Sequence, residues 1–188
     1  MVYLGLIKDE ALKNNIPIMH DDTLAYLVTL ISEHGLNNIL EIGSATGYSS
    51  IYLASHTKAL ITTIEKDRER YEQALKNIKE SNLIARINII HADALSLELT
   101  DSFDLIIIDA AKTKHQLFFN HFLPNLSEKG YIMTDNLGLG CTKGKPLTKN
   151  RQRLIDKTNE YITFLSNNLA FETEFLNLGD QISISKRK

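Results

Sequence analysis

Oxygen-bearing side chains follow two apolar stretches of the chain, and their types suit a hard metal cation. Asp109 ends the stretch Phe103–Asp109, and Asp135 and Asn136 end the stretch that begins at Gly130. If both stretches are neighbouring strands, their carboxyl ends lie about 5 Å apart. Carboxylate and amide oxygens favour Mg²⁺, with Mn²⁺ or Ca²⁺ as options, and argue against zinc. The alternative interpretation is that each acid only caps the following loop.

Lys112 follows Asp109 by three residues and would therefore lie at the mouth of the same edge. An amine placed there can take a proton from a hydroxyl held on the metal, or can orient that oxygen. We therefore predict catalytic roles for Asp109 and Lys112. The competing interpretation of Lys112 is a solvated lysine before a helix.

A glycine-containing loop follows the first apolar stretch. It reads G-x-A-x-G from Gly43 to Gly47, which differs from the G-x-G-x-x-G spacing of dinucleotide binders and favours a ligand without a diphosphate. Glu65 stands 22 residues after Gly43, at a strand end where a carboxylate can accept hydrogen bonds from both ribose hydroxyls. A plain tight turn, with Glu65 capping the next helix, is the alternative.

Two further acids suggest the rest of such a ligand. Glu41, which precedes the loop, could face a cationic group, and Asp93 could accept a hydrogen bond from an adenine amino group. A ribose, an adenine and a positive centre together describe S-adenosylmethionine.

The elements that must position these residues alternate between strands and helices. Five apolar stretches predict buried parallel strands: Asn38–Ile42, Ala59–Glu65, Arg86–His91, Phe103–Asp109 and Gly130–Asp135. Helical periodicity separates them, with predicted starts at Asp21 or Asp22, at Asp67, and at a T-x-x-Q capping box from Thr113 to Gln116.

The last segment alternates apolar and polar residues in two runs separated by a turn, which predicts an antiparallel strand pair. The pattern therefore predicts an α/β fold: a Rossmann-like, doubly wound, mostly parallel seven-stranded sheet with a C-terminal antiparallel strand pair. We expect a single domain over 1–188, with an N-terminal helical segment over 1–36 and the Rossmann-like core over 37–188.

Composition excludes several classes of protein. The 188 residues have a net charge of −2, which excludes a globally basic nucleic-acid binder. A single cysteine excludes a disulfide framework and fits a reducing compartment. The apolar runs are only strand-sized, so no membrane span is expected. These features predict a cytoplasmic protein.

Six motifs occur in a fixed order: LEIGSATGYSS, TIEKD, HADAL, FDLIIIDAAK, GYIMTDN and LGDQISISK. In that order they resemble the class I, metal-dependent O-methyltransferases that use S-adenosylmethionine and include the catechol and caffeoyl-CoA enzymes. The segment Ile16–Met19 (IPIM), with the IDAAK and TDN motifs, is most similar to the bacterial branch that methylates 5-hydroxyuridine at the tRNA wobble position.

The resemblance implies a role for each matching position. It implies a divalent metal on Asp109, Asp135 and Asn136, and a catalytic lysine at Lys112. Homodimers are common in the family, so a homodimer is a possible state of this chain. The residues implied to contact S-adenosylmethionine are Glu41, Gly43, Ser49, Glu65, Asp93 and Ala94.

A basic run follows the predicted metal ligands. It contains five cations and no acid within eleven residues: Lys143, Lys145, Lys149, Arg151 and Arg153. Such a run suits the phosphate backbone of a tRNA anticodon loop, although a solvated loop has the same composition. Two alternatives to a tRNA methyltransferase stay open: a small-molecule O-methyltransferase acting on catechol-like phenols, and a nucleotide-binding module without catalysis.

Overall fold

Seven strands form one sheet in the order β3-β2-β1-β4-β5-β7-β6. The computed structural model describes residues 2–138, 146 and 148–188. Strands β1 to β5 are mutually parallel, and β7 pairs antiparallel with both β5 and β6. The predicted fold class is therefore confirmed. The strands are β1 (Asn38–Ile42), β2 (Leu60–Glu65), β3 (Ile87–His91), β4 (Phe103–Ile108), β5 (Leu126–Thr134), β6 (Phe171–Leu176) and β7 (Ile182–Arg187).

Helices cover both faces of this sheet, as the continuously apolar strands require. One apolar cluster joins the sheet to α1–α4, and a second joins its other face to α5 and α6. None of the described helices is long and apolar enough to cross a membrane. The helices are α1 (Val2–Lys13), α2 (Asp21–His34), α3 (Tyr48–His56), α4 (Arg68–Glu80), α5 (His115–Phe122) and α6 (Lys149–Asn167).

The helix starts agree only partly with their sequence signals. Asp67 caps α4 as predicted, because its side chain accepts a hydrogen bond from the backbone N–H of Arg70. The predicted capping box at Thr113 is wrong, because that residue lies in the 3-10 turn Lys112–Lys114, and α5 begins at His115 with Lys114 as its N-cap. The N-cap of α2 is His20, which places both predicted capping acids inside the first helical turn.

Strand β5 is longer than its apolar pattern. It begins at Leu126 instead of Gly130, and Leu126 pairs with Phe103 across a register shift in β4. The residues between Leu126 and Gly130 are polar and partly exposed, so an apolar run could not reveal them.

The strand order reverses between β1 and β4, and this is where doubly wound sheets bind ligands. Gly43 follows β1 and Asp109 follows β4. A Cβ atom on Gly43 would lie 2.2 Å from the Asp109 carbonyl oxygen, and the backbone φ of Gly43 is +99°. The two strand ends therefore touch through backbone atoms, which only glycine permits at this position.

His115, the first residue of α5, gives the fold a dependence on pH. The side chain is buried against Tyr161, and this burial lowers the pKa of His115 to about 4. The folded pKa lies below the unfolded value of about 6.5. The stability that the neutral, buried imidazole contributes is therefore fully present above about pH 6.5 and is lost as pH falls towards 4. We expect the unfolding free energy of the wild type, relative to that of a variant without this imidazole, to fall by about 3 kcal/mol over that interval.

The His115→Phe variant tests this expectation in chemical denaturation series run across the interval. The difference in unfolding free energy between the wild type and this variant should change by that amount as pH falls, whereas the difference between the wild type and His56→Gln, at an exposed histidine, should stay constant. An equal decrease in the wild type and in His115→Phe would contradict the assignment.

Candidate active site

The predicted metal ligands lie together at the carboxyl edge of β4 and β5. The two strands are in register through Ile108 and Thr134, so Asp109 and Asp135 follow as neighbours. Asn136 adopts a left-handed backbone conformation with φ 64°, and its amide Nδ2 donates a 2.8 Å hydrogen bond to Asp109 Oδ1. The backbone N–H of Asn136 donates to Asp135 Oδ1 at 2.6 Å.

The two carboxyl groups oppose one another's ionisation. Burial, and then the charge of Asp135, raise the pKa of Asp109 well above its usual range. Burial also raises the pKa of Asp135 to about 6. Two neighbouring buried carboxylates are unfavourable unless a cation compensates them.

This donor set fits a hard divalent cation. Asp109, Asp135 and, after a rotation of its amide, the Oδ1 atom of Asn136 supply only oxygen ligands. Among the described residues, no group of three or more His, Cys, Asp or Glu side chains is arranged to hold a metal ion by itself. The site therefore consists of two carboxylates and an amide, and open positions would be left for water or substrate.

Lys112 lies at the same edge, as predicted. Its Nζ donates a 3.2 Å hydrogen bond to the Gly138 carbonyl and lies 3.9 Å from Asp180 Oδ2. The lysine side chain is 17% exposed, so its ammonium is largely shielded but still lines a cavity. This placement distinguishes it from a solvated surface lysine.

A cavity of about 490 Å³ opens beside these residues. Gly43, Glu65, Asp93 and Ala94 all line it, as does Asp109. Four of the six predicted cofactor residues thus surround one space that reaches the candidate metal edge.

Acidic and apolar groups in this cavity fit an adenosine-containing ligand. Glu65 is only 6% exposed, and its carboxylate accepts hydrogen bonds from the backbone N–H groups of Ala45 and Asp67, both at 2.9 Å. The carboxylate therefore supports the loop and the start of α4 while it still faces the cavity. Ile42, Ile64 and Phe118 supply apolar walls suited to a purine ring.

Glu41 and Ser49 lie outside this cavity lining. The Glu41 carboxyl is fully buried and accepts hydrogen bonds from three hydroxyls, those of Ser49, Ser50 and Thr63. Burial raises the pKa of Glu41. In this arrangement Glu41 ties α3 to β1 and β2, and both of its oxygens are already engaged.

Three residues in or near the site were not predicted from their chemistry. Pro17 and Ile18 form part of the cavity wall, although the IPIM segment was noted only as part of a resemblance. Asp180, within 4 Å of Lys112, lies in the LGDQ motif, to which no function was assigned. Their approach depends on tertiary packing, which local spacing does not encode.

The basic run is described only in part. Lys143 and Lys145 lie outside the described residues. Lys149 and Arg153 are exposed and Arg151 is partly exposed, all in the first turns of α6. Because α6 follows β5, its start lies on the side of the sheet where β5 ends, as the metal ligands do.

Known proteins with similar sequences and structures include several methyltransferases. Caffeoyl-CoA O-methyltransferase of Populus kitakamiensis is 26% identical over 186 residues, which cover 92% of this chain and 78% of its own length. The alignments with four plant relatives cover 54% to 78% of those proteins' lengths.

Several solved structures share this fold, and one of them is also 32% identical in sequence. A Staphylococcus aureus protein provisionally assigned as a caffeoyl-CoA O-methyltransferase superposes with a TM-score of 0.91 and 32% identity, covering 98% of this chain and 92% of that one. A Bacillus cereus O-methyltransferase solved with SAH has a TM-score of 0.82 at 22% identity, covering 100% and 91%, and shows the same fold. The O-methyltransferase family model matches residues 2–188, so this chain belongs to the O-methyltransferase family.

Proposed function

We propose that this protein transfers a methyl group from S-adenosylmethionine to a hydroxyl that lies next to a second oxygen, with a divalent cation, most suitably Mg²⁺, at Asp109, Asp135 and Asn136. One observation supports this most directly. Two of the three oxygen ligands, Asp109 and Asn136, line the same cavity as Gly43, Glu65 and Asp93. A methyl donor and a chelated acceptor would therefore share one space.

Each side chain has a distinct task in this reaction. Glu65 and Asp93 would accept hydrogen bonds from the ribose hydroxyls and the adenine amino group, which fixes the donor. A divalent cation at such a site lowers the pKa of a neighbouring hydroxyl. The acceptor hydroxyl gives its proton to solvent, and the Lys112 ammonium is placed to donate a hydrogen bond to the oxygen that becomes negatively charged. The fold mainly holds the acceptor oxygen and the methyl carbon in line, while the sulfonium carbon–sulfur bond breaks.

For the acceptor we propose the 5-hydroxyl of 5-hydroxyuridine at the tRNA wobble position. In that base the 5-hydroxyl and the 4-carbonyl form the required pair of neighbouring oxygens. The basic start of α6 supports a phosphate-bearing partner. The second candidate is a small phenol with two adjacent oxygens, and the similarity to a plant enzyme named for caffeoyl-CoA favours it.

A methyl-transfer assay separates the two substrates. The protein is incubated with labelled S-adenosylmethionine, Mg²⁺, and either tRNA bearing 5-hydroxyuridine or a panel of catechols. We expect label in the tRNA, released by nuclease and lost when EDTA removes the metal. Label only in the phenols would reject the tRNA proposal in favour of the second candidate. Label in neither would leave a nucleotide-binding module without catalysis.

The start of α6 gives a separate test of tRNA binding. The triple variant with Lys149, Arg151 and Arg153 each changed to Gln should bind tRNA more weakly. The logarithm of the tRNA association constant falls linearly with the logarithm of the salt concentration. The magnitude of that slope should be smaller by about 2 to 3 in the variant, because each phosphate contact contributes about 0.7 to 0.9 to it. Binding measured across a salt series checks this expectation.

An equal change of charge elsewhere provides the control. Lys13, Lys58 and Lys79 are exposed lysines on other parts of the chain. Their simultaneous change to Gln should leave the slope nearly unchanged. If both triple variants behave alike, the start of α6 is not the tRNA-binding surface.

A further inference from the structure

The turn between β6 and β7 is fixed to the catalytic edge at several points. The backbone N–H groups of Leu137 and Gly138 donate to the carbonyls of Gln181 and Asp180, at 2.9 and 2.5 Å. A Cβ atom on Gly138 would lie 2.5 Å from the Asp180 carbonyl oxygen, so the close approach requires glycine there. On its other side the turn is bound to α2, because the Gly179 N–H donates to Asp22 Oδ2 at 3.1 Å.

Asp180 controls both polar contacts of the Lys112 ammonium. Its carboxylate lies 3.9 Å from Lys112 Nζ. Its backbone carbonyl holds Gly138, whose own carbonyl accepts the 3.2 Å hydrogen bond from Nζ. Among the residues that the structure describes, no other carboxylate oxygen lies within 4 Å of Lys112 Nζ.

This contact has little value as a stabilising surface ion pair. The Asp180 side chain is 42% exposed, and exposed pairs of this kind contribute about 0 to 1 kcal/mol. The charge of Asp180 also raises the pKa of the nearby Asp135, so it does not favour ionisation of the metal-binding carboxylates. Its favourable interaction at this edge is with Lys112.

We propose that Asp180 is a positioning residue, which holds the Lys112 ammonium at the edge of the cavity where the acceptor oxygen must lie. This inference rests on the proposed methyl-transfer function. An ammonium has three N–H bonds, and one of them is donated to the Gly138 carbonyl, while the Asp180 carboxylate at 3.9 Å attracts the charge towards the same turn. The remaining N–H bonds can then face the acceptor, in an orientation that the β6–β7 turn restricts.

A double-mutant cycle tests the coupling between the two residues. Asp180→Asn preserves the backbone bonds of the turn and removes only the charge. We expect a loss in kcat of about fivefold, with an unchanged KM for the methyl donor, and a partial return of activity in Asp180→Glu. In the Lys112→Ala background, Asp180→Asn should cause no further loss. Equal losses in both backgrounds, or no loss in the native background, would overturn the proposal.

A second measurement needs no methyl transfer. Acetic anhydride is added to the metal-free and substrate-free protein, and mass spectrometry follows acetylation at Lys112 with exposed Lys76 as internal reference. The rate at Lys112 should rise severalfold in Asp180→Asn and stay unchanged in Asp101→Asn. An unchanged rate in Asp180→Asn would overturn the contact itself. A raised rate in a protein that methylates no acceptor would confirm the contact and reject the proposed function.

Discussion

Asp135→Ala should abolish metal-dependent methyl transfer while the protein continues to bind S-adenosylhomocysteine. Removing one of two carboxylate ligands weakens the site that polarises the acceptor hydroxyl, an effect worth several kcal/mol. We therefore expect kcat to fall by about three orders of magnitude. Asp135 does not line the cavity, so the cofactor product should bind with nearly native affinity.

Calorimetry with S-adenosylhomocysteine and with Mn²⁺, each titrated alone, separates these two effects. The variant should fold, because it removes a buried carboxyl whose ionisation the fold opposes. Asp101→Ala changes an exposed carboxylate at the opposite edge of the sheet and should retain full activity. A fully active Asp135→Ala protein would refute the metal assignment.

Gly43→Ala should be the most damaging small substitution in the cofactor loop. The added Cβ would lie 2.2 Å from the Asp109 carbonyl oxygen and 3.0 Å from its carbonyl carbon, and backbone atoms cannot move aside as a flexible side chain can. We expect a loss of about 3 kcal/mol or more in unfolding free energy, and a Tm lower by about 6 to 12 °C. Cofactor affinity should fall as well, since the strand ends that border the cavity must separate.

Gly35→Ala is the matched control for this effect. Gly35 also has a positive φ, +61°, where it ends α2, but its Cβ would meet no atom within 4 Å. Gly35→Ala should therefore lower the unfolding free energy only by the intrinsic cost of a left-handed backbone at a non-glycine residue, about 1 kcal/mol. Thermal unfolding of both variants measures the difference. Similar losses of stability in the two variants would show that the contact with Asp109 does not cause the damage in Gly43→Ala.

The positions of residues at strand ends could be predicted from the sequence. Continuous apolar runs predicted parallel strands covered on both faces, and the order of strands then placed Asp109 beside Asp135 without any knowledge of tertiary contacts. The spacing between Gly43 and Glu65 likewise predicted that both would border one cavity. Each of these residues immediately follows or ends a strand, where position along the chain determines position in space.

Side-chain direction within a strand was harder to predict. Glu41 was expected to face a ligand, but it lies before the strand end, where alternate residues point to opposite faces. Its direction places it among the hydroxyls of Ser49, Ser50 and Thr63, away from the cavity. The role of Asp180 was hidden for a different reason. It depends on a contact between residues far apart in the sequence, which no local pattern encodes.

Strand β7 lies between β5 and β6, although it follows both in the sequence. During synthesis on a ribosome, β6 therefore cannot join the sheet until β7 has emerged, and the edge of β5 stays open until then. The glycine loop, Glu65 and the two proposed metal ligands Asp109 and Asp135 are translated before Asp180. A nascent chain could thus assemble its cofactor cradle before the lysine is fixed in place, so that competence for binding would precede competence for catalysis.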